Sequence, residues 1–358
     1  MGTGASRSYQ SLQACRGIAA LLVALYHLGI AIASPRYFGI SGFAVPLSFG
    51  HTGVDFFFVL SGFIITYVHW QDISRPSSLP RYLNRRFVRI YPIYWIIFVV
   101  VFLAALVIPA TRDSVPHDVS FIMKGLGLIP TDWRRHASTP VIVVSWSLEY
   151  EVLFYLVFAL AIINRWLLAI PIAMLSFAYI SCANGCEFPQ SFVTSTISWL
   201  FVMGAAIAVC ERKRLVVRKP LAIAALGAIL FFSFGIAEIL DPPFRATAIQ
   251  HVLLGLASCL AIAGLLSWEK AKSYKISLGP LVLLGDASYV LYLVHYPLII
   301  VLCKLAVLLL PRTLIGAAIA YPTILMLCLL TVLAVHLWIE KPLLHNLGKN
   351  REAAVTTP

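Results

Sequence analysis

Charge is scarce in this chain. Only 12% of its 358 residues are Asp, Glu, Lys or Arg, and only 15 are acidic. A soluble domain carries about 25% charged residues. So few charges cannot cover a core built from the 60% of residues that are apolar. A water-soluble globule is thereby excluded, and lipid is the natural solvent. Long polar stretches are missing as well. The longest runs roughly from Thr111 to Thr139, and the tail after Glu340 is short, so no separate globular domain is expected. Zinc-type spacing is absent among the seven cysteines. Cys15, Cys210, Cys259, Cys303 and Cys328 lie in apolar runs, where Cys behaves as a small hydrophobe. Cys182 and Cys186 flank a predicted outer turn and are close enough for a disulfide. His27, His51, His69 and His295 also lack ligand spacing, so no metal is expected. A cleavable leader is not expected either, because the first apolar run is long and Arg16 interrupts its early part. No internal repeat is visible, which counts against the inverted repeats of many transporters.

The chain does have a series of apolar runs of about 20 residues, each able to cross a bilayer core of about 30 Å. The predicted spans are 11–33, 51–69, 90–110, 143–163, 166–182, 192–210, 220–239, 247–267, 280–302 and 316–338. Each must be helical, because a lipid-exposed backbone has to satisfy its own hydrogen bonds. The expected fold is therefore all-α, a polytopic bundle of about ten transmembrane helices. It comprises a membrane domain over 1–345 and a short cytoplasmic tail over 346–358. Only Asn164 and Arg165 separate the fourth and fifth spans. The net charge of +12 is carried in short loops. Clusters such as Arg81, Arg85, Arg86 and Arg89, or Arg212, Lys213, Arg214, Arg218 and Lys219, fall on one face. The other face holds the sparser Arg36, Arg112, Lys124, Arg134, Arg135, Arg245, Lys304 and Arg312. Positive charge concentrates on the cytoplasmic side, so both termini are predicted inside. The same distribution explains the basic balance without a nucleic-acid partner.

Ionisable groups inside such spans are costly and point to function. Arg16 and His27 share the first span, eleven residues apart, which is about three helical turns and about 16 Å. His27 suits proton transfer near neutral pH; it reads equally as a partner in an interhelical hydrogen bond. Asp55 enters early in HTGVDFFFVLSGF, at a depth broadly comparable to His27. It could orient that imidazole, or serve as a helix-start carboxylate favourable to the dipole. Gly53, Ser61 and Gly62 would let helices approach closely. The run RYLNRRFVRIYPIYW places Arg81, Arg85, Arg86 and Arg89 on the inner loop and at the mouth of the third span, beside Tyr91, Tyr94 and Trp95. Arg binds phosphate bidentately, although an ordinary positive-inside cluster with an aromatic belt looks the same. In SWSLEYEVLFY, Glu149 and Glu151 are hard to explain as packing. Glu151 could bind a sugar hydroxyl, hold His27 or carry a proton, and Trp146 could stack on a sugar ring. Tyr289, Tyr292 and His295 recur at a spacing of three on one helical face, where interhelical bonding competes with a substrate role. His336 and His69 read as interfacial residues. His117, His136, Arg134 and Arg135 on an outer loop could meet a polyanionic glycan or simply stay hydrated.

These blocks, in this order, resemble the membrane acyltransferase-3 family, whose members O-acylate exported bacterial glycans. The likeness rests on Arg16 and His27, on GVDFFFVLSGF (Gly53 to Phe63), and on RRFVRIYPIYW. It continues through WSLEYEVLFY, SYVLYLVHYPL (Ser288 to Leu298) and the closing IEKP (Ile339 to Pro342), nearly the whole chain. The resemblance implies ten helices in a bacterial inner membrane. It implies acyl-CoA, commonly acetyl-CoA, as cytoplasmic donor and a glycan hydroxyl as acceptor. Arg85, Arg86 and Arg89 look like the family's donor-binding arginines, and His27 like its essential histidine. The chain is similar to short members that modify exopolysaccharide, the O-antigen of lipopolysaccharide, or lipochitooligosaccharide.

On this reading, Arg85, Arg86 and Arg89, with Arg16, Tyr94 and Trp95, bind the cofactor. His27, Asp55 and Glu151 carry the chemistry. Trp146, Glu149, Tyr289, Tyr292 and His295 meet the acceptor. Expected partners are membrane lipid, the glycan, and glycan synthesis or export machinery. The same polar groups would also serve a transporter of an anionic or lipid-linked substrate, which predicts flux without chemical change. A non-catalytic partner of a glycan synthase would instead tolerate replacement of His27, Arg86 and Glu151.

Overall fold

A computed structural model describes residues 9–107, 116, 118–132, 140–182, 186–213, 217–271 and 279–347. His117, Arg134, Arg135 and His136, and the predicted tail beyond residue 347, lie outside the described residues. Among the described residues there is no strand. The principal helices are α1 (Gln10–Ala33), α2 (Gly53–Val68), α3 (Leu79–Val107), α4 (Val119–Gly127), α5 (Trp146–Ile163) and α6 (Ala169–Ser181). They continue as α7 (Ile197–Arg212), α8 (Pro220–Leu240), α9 (Ala248–Ala271), α10 (Gly279–Asp286), α11 (Ser288–Leu309) and α12 (Leu314–Val335). A π-helical turn, His336–Glu340, extends α12.

The chain is a multi-pass membrane protein. Nine helical segments among the described residues are long and apolar enough to cross a membrane. The predicted fifth span is the exception. It forms the shorter apolar helix Arg165–Ala178. The 13 residues of α6 rise only about 20 Å, less than a bilayer core of about 30 Å. The predicted ninth span begins on a separate helix, α10, and continues as α11. The third departs in the other direction. Hydropathy puts its start near residue 90, but α3 begins at Leu79, because Arg and Leu are good helix formers whatever their hydropathy. Arg81, Arg85, Arg86 and Arg89 therefore stand on the helix itself and not in a loop. Its 29 residues span roughly 44 Å, more than an apolar core requires.

The described residues fall into two compact units. The first takes those of Met1–Trp70, Thr196–Tyr292 and Leu298–Cys328. In it α2 crosses α7 at almost backbone contact. A Cβ on Gly62 would lie 2.1 Å from the Phe201 carbonyl oxygen, and one on Gly204 would lie 1.9 Å from that of Val59. Gly53 meets α1 in the same way, 2.5 Å from the Ala19 carbonyl oxygen. Small residues are what allow such crossings where lipid supplies no hydrophobic drive. The α1 start is capped from α9: the Gln10 and Ser11 amides donate to the Glu269 carboxylate at 2.8 and 3.0 Å. That places an anion on the positive end of the helix. Leu28, Ile32, Phe38, Ile299, Cys303 and Ile324 pack as one buried cluster.

The second unit takes the described residues of Gln71–Ser195, Leu293–Pro297 and Leu329–Pro358. Its centre is the packing of α3 on α5. Tyr82, fully buried, donates its hydroxyl to the Tyr155 carbonyl at 3.0 Å. Cys182 and Cys186 are joined by a disulfide.

Candidate active site

His27 sits half-buried in the C-terminal half of α1. Its Nδ1 lies 2.9 Å from the Val23 carbonyl oxygen. A carbonyl can only accept, so Nδ1 carries the proton and the neutral ring has its lone pair on Nε2. The helix thus fixes which nitrogen is basic. The edge of the ring meets Tyr26, with centroids 4.9 Å apart, and Tyr26 meets His51 at 5.4 Å.

Behind Tyr26 lies a carboxylate that no sequence motif points to. Glu238, on α8, has a side chain only 1% exposed. His51 Nε2 donates to it at 2.9 Å and Gln250 Nε2 at 2.8 Å, while Arg245 Nε stands 3.8 Å away. Arg245 also donates to the Tyr26 hydroxyl at 2.7 Å. A buried anion held by several donors is tolerated where an isolated one would not be. The network links α1, the turn that precedes α2, the end of α8 and the start of α9 beside His27.

Asp55 is buried on the first turn of α2. The expectation is that it orients His27, and here the structure differs. The Asp55 carboxylate is hydrogen-bonded to Nδ1 of His251 on α9. The reason is geometric: α2 packs against α9 as well as α1, and His251 offers Asp55 a ring nitrogen where His27 spends its Nδ1 on its own helix. Arg16 donates to Gln13 Oε1 at 2.9 Å, and Gln13 in turn donates to Asp286 at 2.9 Å. Tyr289 is half-buried, and Tyr292 is buried with Phe57 edge-on at 6.4 Å.

In the second unit, Arg86 lies between two phenol rings, 5.9 Å from the Tyr82 centroid and 5.6 Å from that of Tyr155. The Tyr155 hydroxyl donates to Glu151 at 2.5 Å, so Glu151 is engaged within α5. Arg89 pairs with Glu340 at 3.5 Å, and His336 donates to Glu340 at 2.6 Å. This joins the RRFVRIYP block to the closing IEKP block through a carboxylate 1% exposed. His336, read as interfacial, is instead buried. Arg85 is exposed and has no hydrogen-bond or ion-pair partner among the described residues. Glu149 is 9% exposed on the first turn of α5. Trp146 stands edge-on to Tyr150 at 6.3 Å. His295 is fully buried.

Tyr94 and Trp95 have a different task from the one expected. Tyr94 donates to the Gly125 carbonyl at 2.7 Å and Trp95 Nε1 to that of Leu126 at 2.9 Å, with Tyr91 on Gly127 at 3.0 Å. They bond the last carbonyls of α4, of which that of Gly125 also accepts from the Leu128 amide, and this commits their polar atoms to the fold. Among the described residues no group of three or more His, Cys, Asp or Glu is placed to hold a metal.

Comparison with known proteins adds a family to this geometry. The acyltransferase-3 family model, an acyltransferase domain, matches residues 9–339. The chain is 30% identical over 308 residues to the exopolysaccharide production protein ExoZ of Rhizobium meliloti, covering 82% of this chain and 90% of that protein. It is 28% identical over 330 residues to the acyltransferase MdmB of Streptomyces mycarofaciens, covering 81% and 78%. It is 26% identical over 341 residues to the peptidoglycan O-acetyltransferase OatA of Listeria monocytogenes, covering 82% of this chain but 50% of that protein. No solved structure matches the chain.

Proposed function

The chain belongs to the acyltransferase-3 family, and from that premise we propose that it moves an acyl group, in the first instance acetyl, from cytoplasmic acyl-CoA to a hydroxyl of an exported or lipid-linked glycan. The observation that carries this reading is His27: a histidine within an apolar helix whose Nδ1 is tied to Val23, which makes Nε2 the basic nitrogen. A lone pair of that kind can attack a thioester carbonyl, or take a proton from the attacking hydroxyl.

The donor end is assigned to α3. Arg85 is exposed and uncommitted among the described residues, while Arg86 and Arg89 are braced by Tyr155 and Glu340. Arginines so held are suited to the phosphates and 3′-phosphate of CoA. Arg16 is the remaining cation on α1. The glycan acceptor is supported by the functions named for the relatives, exopolysaccharide production and peptidoglycan O-acetylation. Glu149 and Trp146 are the side chains assigned to it, a buried carboxylate for hydroxyls and an indole for a sugar face. A bacterial inner membrane is the setting that fits a CoA donor inside and an exported product.

The test is transfer in liposomes. Purified protein receives radiolabelled acetyl-CoA on the arginine-rich face, and label is followed into a panel of glycans and into the protein. Label in a glycan that is lost with His27→Ala supports the reading. Retained transfer in that variant removes His27 from the mechanism. A protein that binds no acyl-CoA at all, or that moves a substrate without changing it, is a transporter or a partner and not this enzyme.

A further inference from the structure

Two histidines of the first unit have Nδ1 held by an oxygen acceptor, and only His27 has been given a part in the transfer. The second is His251. Its Nδ1 faces the carboxylate of Asp55, which is 5% exposed at the side chain. An acceptor-only carboxylate on Nδ1 places the ring proton there and leaves the lone pair on Nε2. It also stabilises the imidazolium that forms when Nε2 takes a proton. The His251 side chain is 18% exposed, and Nε2 has no hydrogen-bond partner among the described residues. The third histidine of the group, His51, differs: its Nε2 is spent on Glu238.

The dyad also stands in the right neighbourhood. Gln250, the residue before His251, bonds Glu238, which bonds His51, whose ring meets Tyr26 beside His27. Gly53, two residues before Asp55, is seated on α1 at Ala19 and Val23, and Val23 is the residue that holds His27. The starts of α2 and α9 and the C-terminal half of α1 thus form one polar cluster in otherwise apolar helices.

We propose that the Asp55–His251 dyad is a second acid–base centre of the transfer reaction, with His251 Nε2 taking the proton of the acceptor hydroxyl. The proposal rests on the acyl-transfer reading. In the step, the hydroxyl oxygen forms a bond to the acyl carbon while its proton passes to Nε2. The bond from the acyl carbon to its carrier breaks and the electron pair leaves with the carrier. The carrier is CoA sulfur in direct transfer and His27 Nε2 in a relay. His251 then gives its proton to the CoA thiolate or to water, and the dyad is restored. His27 is left to face the thioester.

The experiment compares wild type, His251→Ala and Asp55→Asn in the liposome assay, with binding of labelled acetyl-CoA measured alongside. Removing a general base costs on the order of 10²-fold or more. The expected result for His251→Ala is a loss of that size in kcat, unchanged acetyl-CoA binding, and recovery of at least about tenfold when imidazole is added. A merely structural histidine gives no such recovery. Transfer within about threefold of wild type overturns the proposal, as does a loss that imidazole does not repair while acetyl-CoA still binds. Should His251→Ala fail to bind acetyl-CoA, Asp55→Asn decides. A fall in kcat with KM for acetyl-CoA unchanged supports the dyad, and an unchanged kcat overturns it. An inactive wild type, by contrast, strikes the acyl-transfer reading itself.

Discussion

Arg89 and Glu340 meet at 3.5 Å, and the Glu340 carboxylate is held on its other oxygen by His336. Sequence blocks some 250 residues apart are thereby one structural feature. The π-helical turn His336–Glu340 brings His336 and Glu340 together on one face, an irregularity that recurs at functional sites. Glu340→Gln should leave Arg89 without its anchor. We expect KM for acyl-CoA to rise, by roughly tenfold for each 1.4 kcal/mol of lost binding, while kcat holds. Steady-state kinetics with varied donor concentration checks this.

Arg85 and Trp95 make a contrasting pair on the same helix. Arg85 makes no hydrogen bond or ion pair among the described residues, so Arg85→Ala should weaken donor binding and leave thermal stability within about 0.5 kcal/mol. Trp95→Phe should do the reverse. It deletes the bond to the Leu126 carbonyl, for a cost of about 1 kcal/mol in stability, and leaves KM for acyl-CoA unchanged. Thermal unfolding in detergent together with donor titration separates the two.

Glu238→Gln tests the network behind Tyr26. The neutral amide has one acceptor oxygen, so it weakens the hydrogen bonds that His51 and Gln250 donate to the carboxylate, each worth about 1.5–3 kcal/mol to a charged group, and it removes the charge facing Arg245. The expected outcome is a kcat lowered by about tenfold or more, as Tyr26 and the His27 edge lose their brace, with acyl-CoA binding intact. A single-turnover assay at saturating donor reads this directly.

Gly62→Ala places a methyl group 2.1 Å from the Phe201 carbonyl oxygen, a backbone atom that cannot step aside. Overpacking of this kind costs about 1–3 kcal/mol or more. Gly42→Ala is the matched control, since nothing lies within 4 Å of the added carbon. The first variant should unfold earlier on heating than wild type and the second should not.

Much of this is legible in the sequence because apolar run length dictates helices in lipid, and because an intramembrane His or Asp is conspicuous. Partners are not legible. Asp55 and His251 are 196 residues apart, and no local pattern says which of several histidines a carboxylate will meet. Glu238 lies near the end of FFSFGIAEIL, where a span-end charge passes for an interfacial one. The arginines stand out as a cluster but read as a loop, because hydropathy registers Arg as an interruption while helix propensity does not. Tyr94 and Trp95 look like an aromatic belt from composition alone. Only the position of the α4 carbonyls reveals what their polar atoms do.

Because the arginines of α3 stand on a helix, their directions are set by rotation. Each residue turns the side chain by about 100°, so Arg89 stands about 40° around the helix from Arg85 and about 60° from Arg86, while Arg85 and Arg86 are about 100° apart. A cluster in a loop could gather around an anion of any shape. This one holds its three charges within an arc of about 100°, with Arg89 about 6 Å further along the axis than Arg85, and a single inserted residue between Arg86 and Arg89 would swing Arg89 about 100° further from Arg85 without removing any charge.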